Sequence, residues 1–151
     1  MTNKRGTTLL SSYAYTLQPD GLRIGVTEQQ LEADTTTSTV TKIWTYDALQ
    51  RLTQEQVTSS IAANSYTDTY VMDLVGNRLT KTHTQGAQTL TVNDVFNSND
   101  QLTTETGSGS STYSATYGYD ANGSLTSVTR TGAGVETDTV SVRRIALCQA
   151  W

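Results

Sequence analysis

The 151-residue chain carries a formal net charge of −4 with only 16% charged residues, so it has no basic stripe to neutralise nucleic-acid phosphates or hold an anionic membrane. Its 35% hydrophobic content and single proline, together with an abundance of Thr, Ser, Gly, Asn and Tyr, favour strands and turns around a thin core over helices. The lone cysteine, Cys148, excludes an intrachain disulfide and a zinc site built from cysteines of this chain.

Residues 1–12 form an N-terminal extension that contains Lys4 and Arg5 but lacks the apolar run of a secretory leader. Export would therefore require a longer polypeptide or a route without a cleavable leader. No later segment has the apolar length of a membrane span.

From Tyr15 a pattern begins that returns four times: YTLQPDGLR, then YDALQRLT at Tyr46, YVMDLVGNRLT at Tyr70, FNSNDQLT at Phe96 and YDANGSLT at Tyr119. Four-position turns start at Gln18, Asp47, Asp73, Asn97 and Asp120, at spacings of 29, 26, 24 and 23 residues. A period of this size is the mark of a repeat architecture. Asp or Asn at the first turn position can bond the backbone two residues on, and Gly at the fourth accepts the left-handed conformation that closes a hairpin with a bulge. Gly21, Gly76 and Gly123 hold that fourth place, and Pro19 pre-sets φ in the first copy. Asp100 tolerates the left-handed region, whereas Gln50 should cost about 1 kcal/mol there.

The residues before each turn alternate as strands do. Tyr13, Tyr15 and Leu17; Val40, Lys42, Trp44 and Tyr46; Tyr66, Asp68, Tyr70 and Met72; Leu90, Val92, Asp94 and Phe96; and Tyr113, Ala115, Tyr117 and Tyr119 each place aromatic rings on one face. Leu52, Leu79, Leu102 and Leu125 follow the turns, each succeeded by Thr. The variable stretches 32–37, 59–64, 85–88, 107–111 and 132–134 are outer connections. The expectation is an all-β, twisted antiparallel meander of about ten strands over residues 13–142, with residues 143–151 an irregular tail. Its first strand lies near 9–17 and its last near 137–142, both open edges.

An aromatic, then Tyr-Asp-x-x-Gly-Asn/Arg-Leu-Thr every 20-odd residues, resembles the YD (Rhs) repeat of Rhs and wall-associated polymorphic toxins, insecticidal toxin-complex proteins and teneurins. The resemblance spans residues 13–130. It implies an arc of a spiral β-shell that encloses a C-terminal toxin domain, secreted or displayed at the cell surface, with neighbouring repeats or that domain as partners. The family's self-cleaving core segment and toxin domain have no counterpart here.

Groups with chemistry fit structural roles. His83 lies in a Thr-rich strand and Cys148 in the tail, so no nucleophile and base are paired by the sequence. Asp47, Asp73 and Asp120 are accounted for by turn geometry, with Gly21, Gly76, Asn97 and Gly123. The Asn97 and Asp120 turns have oxygen ligands at alternate positions but no closing bidentate Glu, so neither metal nor cofactor is expected, and no enzyme activity. The aromatic face, Trp44, Tyr46, Tyr70, Tyr117 and Tyr119, reads first as lining or core and second as a surface for a glycan or receptor. Self-association through open sheet edges is a further alternative.

Overall fold

The computed structural model describes residues 1–32, 36–132 and 135–141, the last stretch by its backbone alone. Within them the chain forms one antiparallel sheet of 12 strands in sequence order. These are β1 Thr2–Arg5, β2 Thr8–Leu17, β3 Arg23–Leu31, β4 Thr37–Tyr46, β5 Leu52–Ser59, β6 Tyr66–Met72, β7 Arg78–Gln85, β8 Gln88–Phe96, β9 Leu102–Gly109, β10 Tyr113–Tyr119, β11 Leu125–Gly132 and β12 Val135–Ser141. The single helical element among the described residues is a 3₁₀ turn, Ala62–Asn64. The fold is thus all-β, a meander of hairpins, as the repeat pattern requires.

Three expectations about its extent are corrected. The sheet has 12 strands rather than about ten, because β1, in residues 1–12, and β12 flank the ten strands of the five hairpins. The strand near residues 9–17 is therefore not an edge: β2 pairs with β1 on one side and β3 on the other. Glycines 107 and 109, expected in a connecting loop, lie in β9. Arg143, Arg144 and Cys148 fall outside the described residues.

Each repeat contributes one strand before its turn (β2, β4, β6, β8, β10) and one after it (β3, β5, β7, β9, β11). All five hairpins carry the same second irregularity, one pair beyond the turn. Thr45 pairs with Gln54 but Tyr46 with Leu52, leaving Thr53 as the extra residue. Ile24, Leu79, Thr103 and Thr126 are the equivalents. Such a bulge reverses the in–out phase of the strand beyond it. Strict alternation from Leu52 would turn Gln54 and Gln56 to the aromatic face; the bulge delivers Glu55 and Val57 instead, opposite Trp44 and Lys42. At Thr53 and Thr103 the bulge is pinned by the hydroxyl, which donates to the Thr45 and Val95 carbonyls, each at 3.0 Å.

The two faces differ in kind. On the aromatic face lie the buried apolar residues Val26, Val57, Val92 and Ala115, and with them the buried carboxylates Asp68 and Asp94. The opposite face presents Thr rows such as Thr69, Thr82, Thr91 and Ser108 on adjacent strands, and leaves Ile43, Val71 and Val95 half exposed. Threonine suits it, because its branched carbon favours the extended chain and its hydroxyl meets water.

Candidate functional site

Two features distinguish this sheet from a plain meander: a stitched row of turns along one edge, and a belt of charge across the aromatic face.

Four of the five turns share one pair of backbone bonds, and in the third the Gly76 amide donates to Asp73 Oδ1 in place of the Asp73 carbonyl. The amide of Asp47 donates to the Arg51 carbonyl and that of Gln50 back to the Asp47 carbonyl, both at 3.0 Å; Gln18, Asn97 and Asp120 start turns with the same pair of bonds. The fourth residue has positive φ in all five: Gly21 +87°, Gln50 +59°, Gly76 +105°, Asp100 +57° and Gly123 +79°. First-position side chains then satisfy the loop amides. Asp47 Oδ1 accepts from Leu49 and Arg51, Asp73 Oδ1 from Val75, Gly76 and Asn77, Asn97 Oδ1 from Asn99 and Gln101, and Asp120 Oδ1 from Asn122 and Ser124. These bonds tune the acids. The Arg51 backbone amide, followed by its side chain, holds the Asp47 carboxyl below its usual range. At Asp73 desolvation pushes upward, but the Asn77 side chain and the amides of Asn77, Gly76 and Val75 outweigh it and the carboxyl is again lowered.

Consecutive turns are also tied to one another. Gln50 Nε2 donates to Asp20 Oδ2 (3.0 Å), Arg51 Nη1 to the Asp73 carbonyl (2.5 Å), Asn77 Nδ2 to Asp100 Oδ1 (2.9 Å) and Gln101 Nε2 to the Gly123 carbonyl (3.3 Å). Turns two, three and four thus reach forward from their fifth position. The first turn has Leu22 there, and its link comes backward from Gln50. No single-repeat pattern in the sequence signals this row, because each partner lies 22 to 30 residues away.

The tyrosine before the turn aspartate adds a second tie. Tyr46 OH donates to the Arg23 carbonyl and Tyr119 OH to the Leu102 carbonyl, both at 2.9 Å. Arg23 and Leu102 occupy the same place, two residues after the fourth turn position of the preceding repeat. The third copy departs from this plan: Met72 precedes Asp73, and Leu79 is the bulged residue rather than the equivalent of Leu52, Leu102 and Leu125. Arg78 takes that equivalent position, as Arg23 does in the first copy, and brings a charge to the aromatic face.

Neighbours across the strands form the belt. Trp44, Glu55, Asp68 and His83 stand in one row from β4 to β7. Trp44 Nε1 donates to Glu55 (3.1 Å), Lys81 Nζ lies 3.1 Å from Asp68 Oδ2, and His83 Nδ1 lies 2.6 Å from Asp68 Oδ1. His83, placed by the sequence in a Thr-rich strand, is therefore tied to a buried acid and tilted against the Tyr66 ring at 5.3 Å. Lys42 Nζ donates to Glu28 at 3.0 Å, which raises the lysine's pKa. In the next row Asp94 stands opposite Glu105. Arg78 meets Asp94 Oδ2 through Nε at 2.9 Å and Nη2 at 2.8 Å, and reaches Glu105 at 3.9 Å. The Asp94 side chain is only 2% exposed, and its Oδ1 has no hydrogen-bond partner.

The aromatic residues proposed as a contact face are mostly occupied within this network. Tyr46, Tyr119 and Trp44 spend their polar atoms on other repeats or strands, and Tyr70 OH lies 3.4 Å from Asp68 with Lys81 over its ring. Tyr117 stands opposite Val128. Desolvation, then the bond to Glu105, pushes the Tyr113 phenol up to about 12. Burial likewise raises Tyr66 and Tyr70.

Among the described residues no group of three His, Cys, Asp or Glu is placed to hold a metal, and no helix is long and apolar enough to cross a membrane. A shallow cleft of about 450 Å³ is lined by Ala87, Gln88, Thr89, Gly109 and Ser110, which bring neither charge nor aromatic ring. No family model matches the chain, and no curated protein is similar to it in sequence.

Proposed function

We propose that this chain is a structural wall segment of the YD/Rhs type, a repeat sheet of a secreted or surface-exposed shell that holds a toxin domain, with no catalytic role of its own. The observation that carries this reading is the turn row. Five hairpins, each with positive φ at its fourth turn position, are joined turn to turn and in two copies also tyrosine to carbonyl, so each repeat fixes the position of the next. A wall needs this property, since stacked repeats add their interface terms in one dimension and can extend without a closed core.

The aromatic face supports the same assignment. Many of its polar atoms and charges are taken up by cross-strand partners, which favours a lining over a glycan platform, where donors must stay available. The reading is tested on the complete transcript that encodes this chain. Further copies of the aromatic–turn–Leu-Thr sentence should continue in frame into a non-repeat domain, and that domain should resist protease while the repeats are folded. A transcript with no further repeats, or a downstream domain cleaved as fast as the free domain, would refute it.

A further inference from the structure

The two outermost described strands are complementary halves of one repeat. Five units pair a strand before the turn with a strand after it, β2 with β3 through β10 with β11. This leaves β1 and β12, each with one neighbour among the described residues. β1 connects like a strand after the turn: it enters β2 through Gly6 and Thr7, with Gly6 at φ +63°, as β7 enters β8 through Gly86 and Ala87, with Gly86 at φ +57°. β12 follows β11 and so stands where a strand before the turn belongs.

We infer that β1 of one copy pairs with β12 of a second, completing a sixth repeat between molecules. Three observations favour this occupant of the edges. Strand direction alternates and the count is even, so a copy added beside β12 with the same face orientation presents β1 antiparallel to it. The edges also differ in charge: β1 contains Lys4 and Arg5, whereas the β12 sequence contains Glu136 and Asp138 and no basic residue. Finally, the outward backbone of β1 is available. Met1 exchanges both backbone bonds with Tyr13, at 2.7 and 2.8 Å, which directs the Thr2 N–H and C=O away from β2. An open edge of this kind is a ready template for another strand. The contact is heterologous, so it propagates rather than closing on a two-fold axis. The inference concerns the edges of this 151-residue chain; where further repeats continue in frame, they would take the place of the second copy at the edge they adjoin.

The test is sedimentation of the full chain over a dilution series. Mass should rise above 16.4 kDa with concentration, and less so at high salt. Thr2→Pro removes the outward donor and leaves the β1–β2 ladder intact, so it should abolish association with the melting curve unchanged. The charge variants decide which edges meet. Lys4→Glu/Arg5→Glu and Glu136→Lys/Asp138→Lys should each weaken self-association by about tenfold alone, since a basic edge meeting an acidic one becomes two edges of like charge. Mixed together, they should associate again. A chain that remains monomeric throughout, association unaffected by Thr2→Pro, or a charge-variant mixture that stays apart would each overturn the inference.

Discussion

The fourth turn position offers a graded test of what the fold costs, because the five copies hold it at different φ with different residues. At Gly76, φ is +105°, beyond the left-handed basin that non-glycine residues visit near +57°. A Cβ there meets nothing within 4 Å, so a substitution reports backbone strain without a clash. Gly76→Ala should therefore cost about 2 kcal/mol, the upper end of the left-handed penalty. Gly123, at +79°, should cost about 1 to 1.5 kcal/mol, including a small displacement of Gln101 Nε2, which a Cβ would approach. Gln50 is the converse case. It already sits at +59°, so Gln50→Gly relieves about 1 kcal/mol of strain and loses the exposed bond to Asp20, worth about 0.5 kcal/mol. The net is a stabilisation of about 0.5 kcal/mol. Urea midpoints at constant m-value measure all three. The order Gly76→Ala, Gly123→Ala, Gln50→Gly from most to least destabilising, with a change of sign at the last, is the expected outcome. A Gly76→Ala variant as stable as the parent would refute the argument from φ.

Three further outcomes follow from the charge network. Arg78→Leu restores the repeat's apolar residue but strands buried Asp94, so it should cost about 2 to 3 kcal/mol in urea unfolding, with Arg78→Leu/Asp94→Leu recovering most of it. The Tyr113 phenol, pushed up to about 12, should appear as a late step in absorbance at 295 nm that Tyr113→Phe removes. Because its folded pKa is raised, the stability it contributes is complete below the ordinary value of 10.0 and is lost as pH rises through the folded value. Asp47 and Asp73 act on the acid side, since their folded values are lowered. Their contribution is complete above the ordinary value of 3.8 and is lost as pH falls through the lower folded value. Asp73→Asn should flatten that part of the stability–pH curve, measured by urea midpoints across it.

The sequence makes the turns legible because their chemistry is local: Asp or Asn bonds amides two to four residues away, and glycine records a backbone angle directly. Strand direction and the aromatic face follow from alternation before the turn. After the turn the same reasoning fails, because the bulged residues, Ile24, Thr53, Leu79, Thr103 and Thr126, are threonine in only three copies and each reverses the phase of its strand. The third copy shows the consequence. Counting to the first leucine selects Leu79, whereas the geometry places Arg78 in register with Leu52 and Leu102. β1 is missed for a related reason: four polar or charged residues, all exposed, have no alternating pattern, and only their pairing with β2 makes them a strand. The inter-turn bonds are non-local and so carry no sequence signal at the scale of one repeat.

Why a sheet with so little buried apolar surface should contain buried carboxylates follows from the same one-dimensional construction. Substantial strand contacts join consecutive strands, and the Thr-rich face is nearly uniform along its length, so hydrophobic pattern alone sets register weakly. The charged row does so strongly. A one-residue slip of β6 would turn Asp68 to the Thr face, away from Lys81 and His83, and bring a threonine to their side. A slip of β8 would likewise part Asp94 from Arg78. Each loss leaves a desolvated charge without its partner, a cost of several kcal/mol that no gain on the Thr face offsets. The buried pairs therefore act less as sources of stability than as penalties on wrong pairings, and they stand at β6 to β9, where the third copy has lost the tyrosine tie that holds the second and fifth copies to their predecessors.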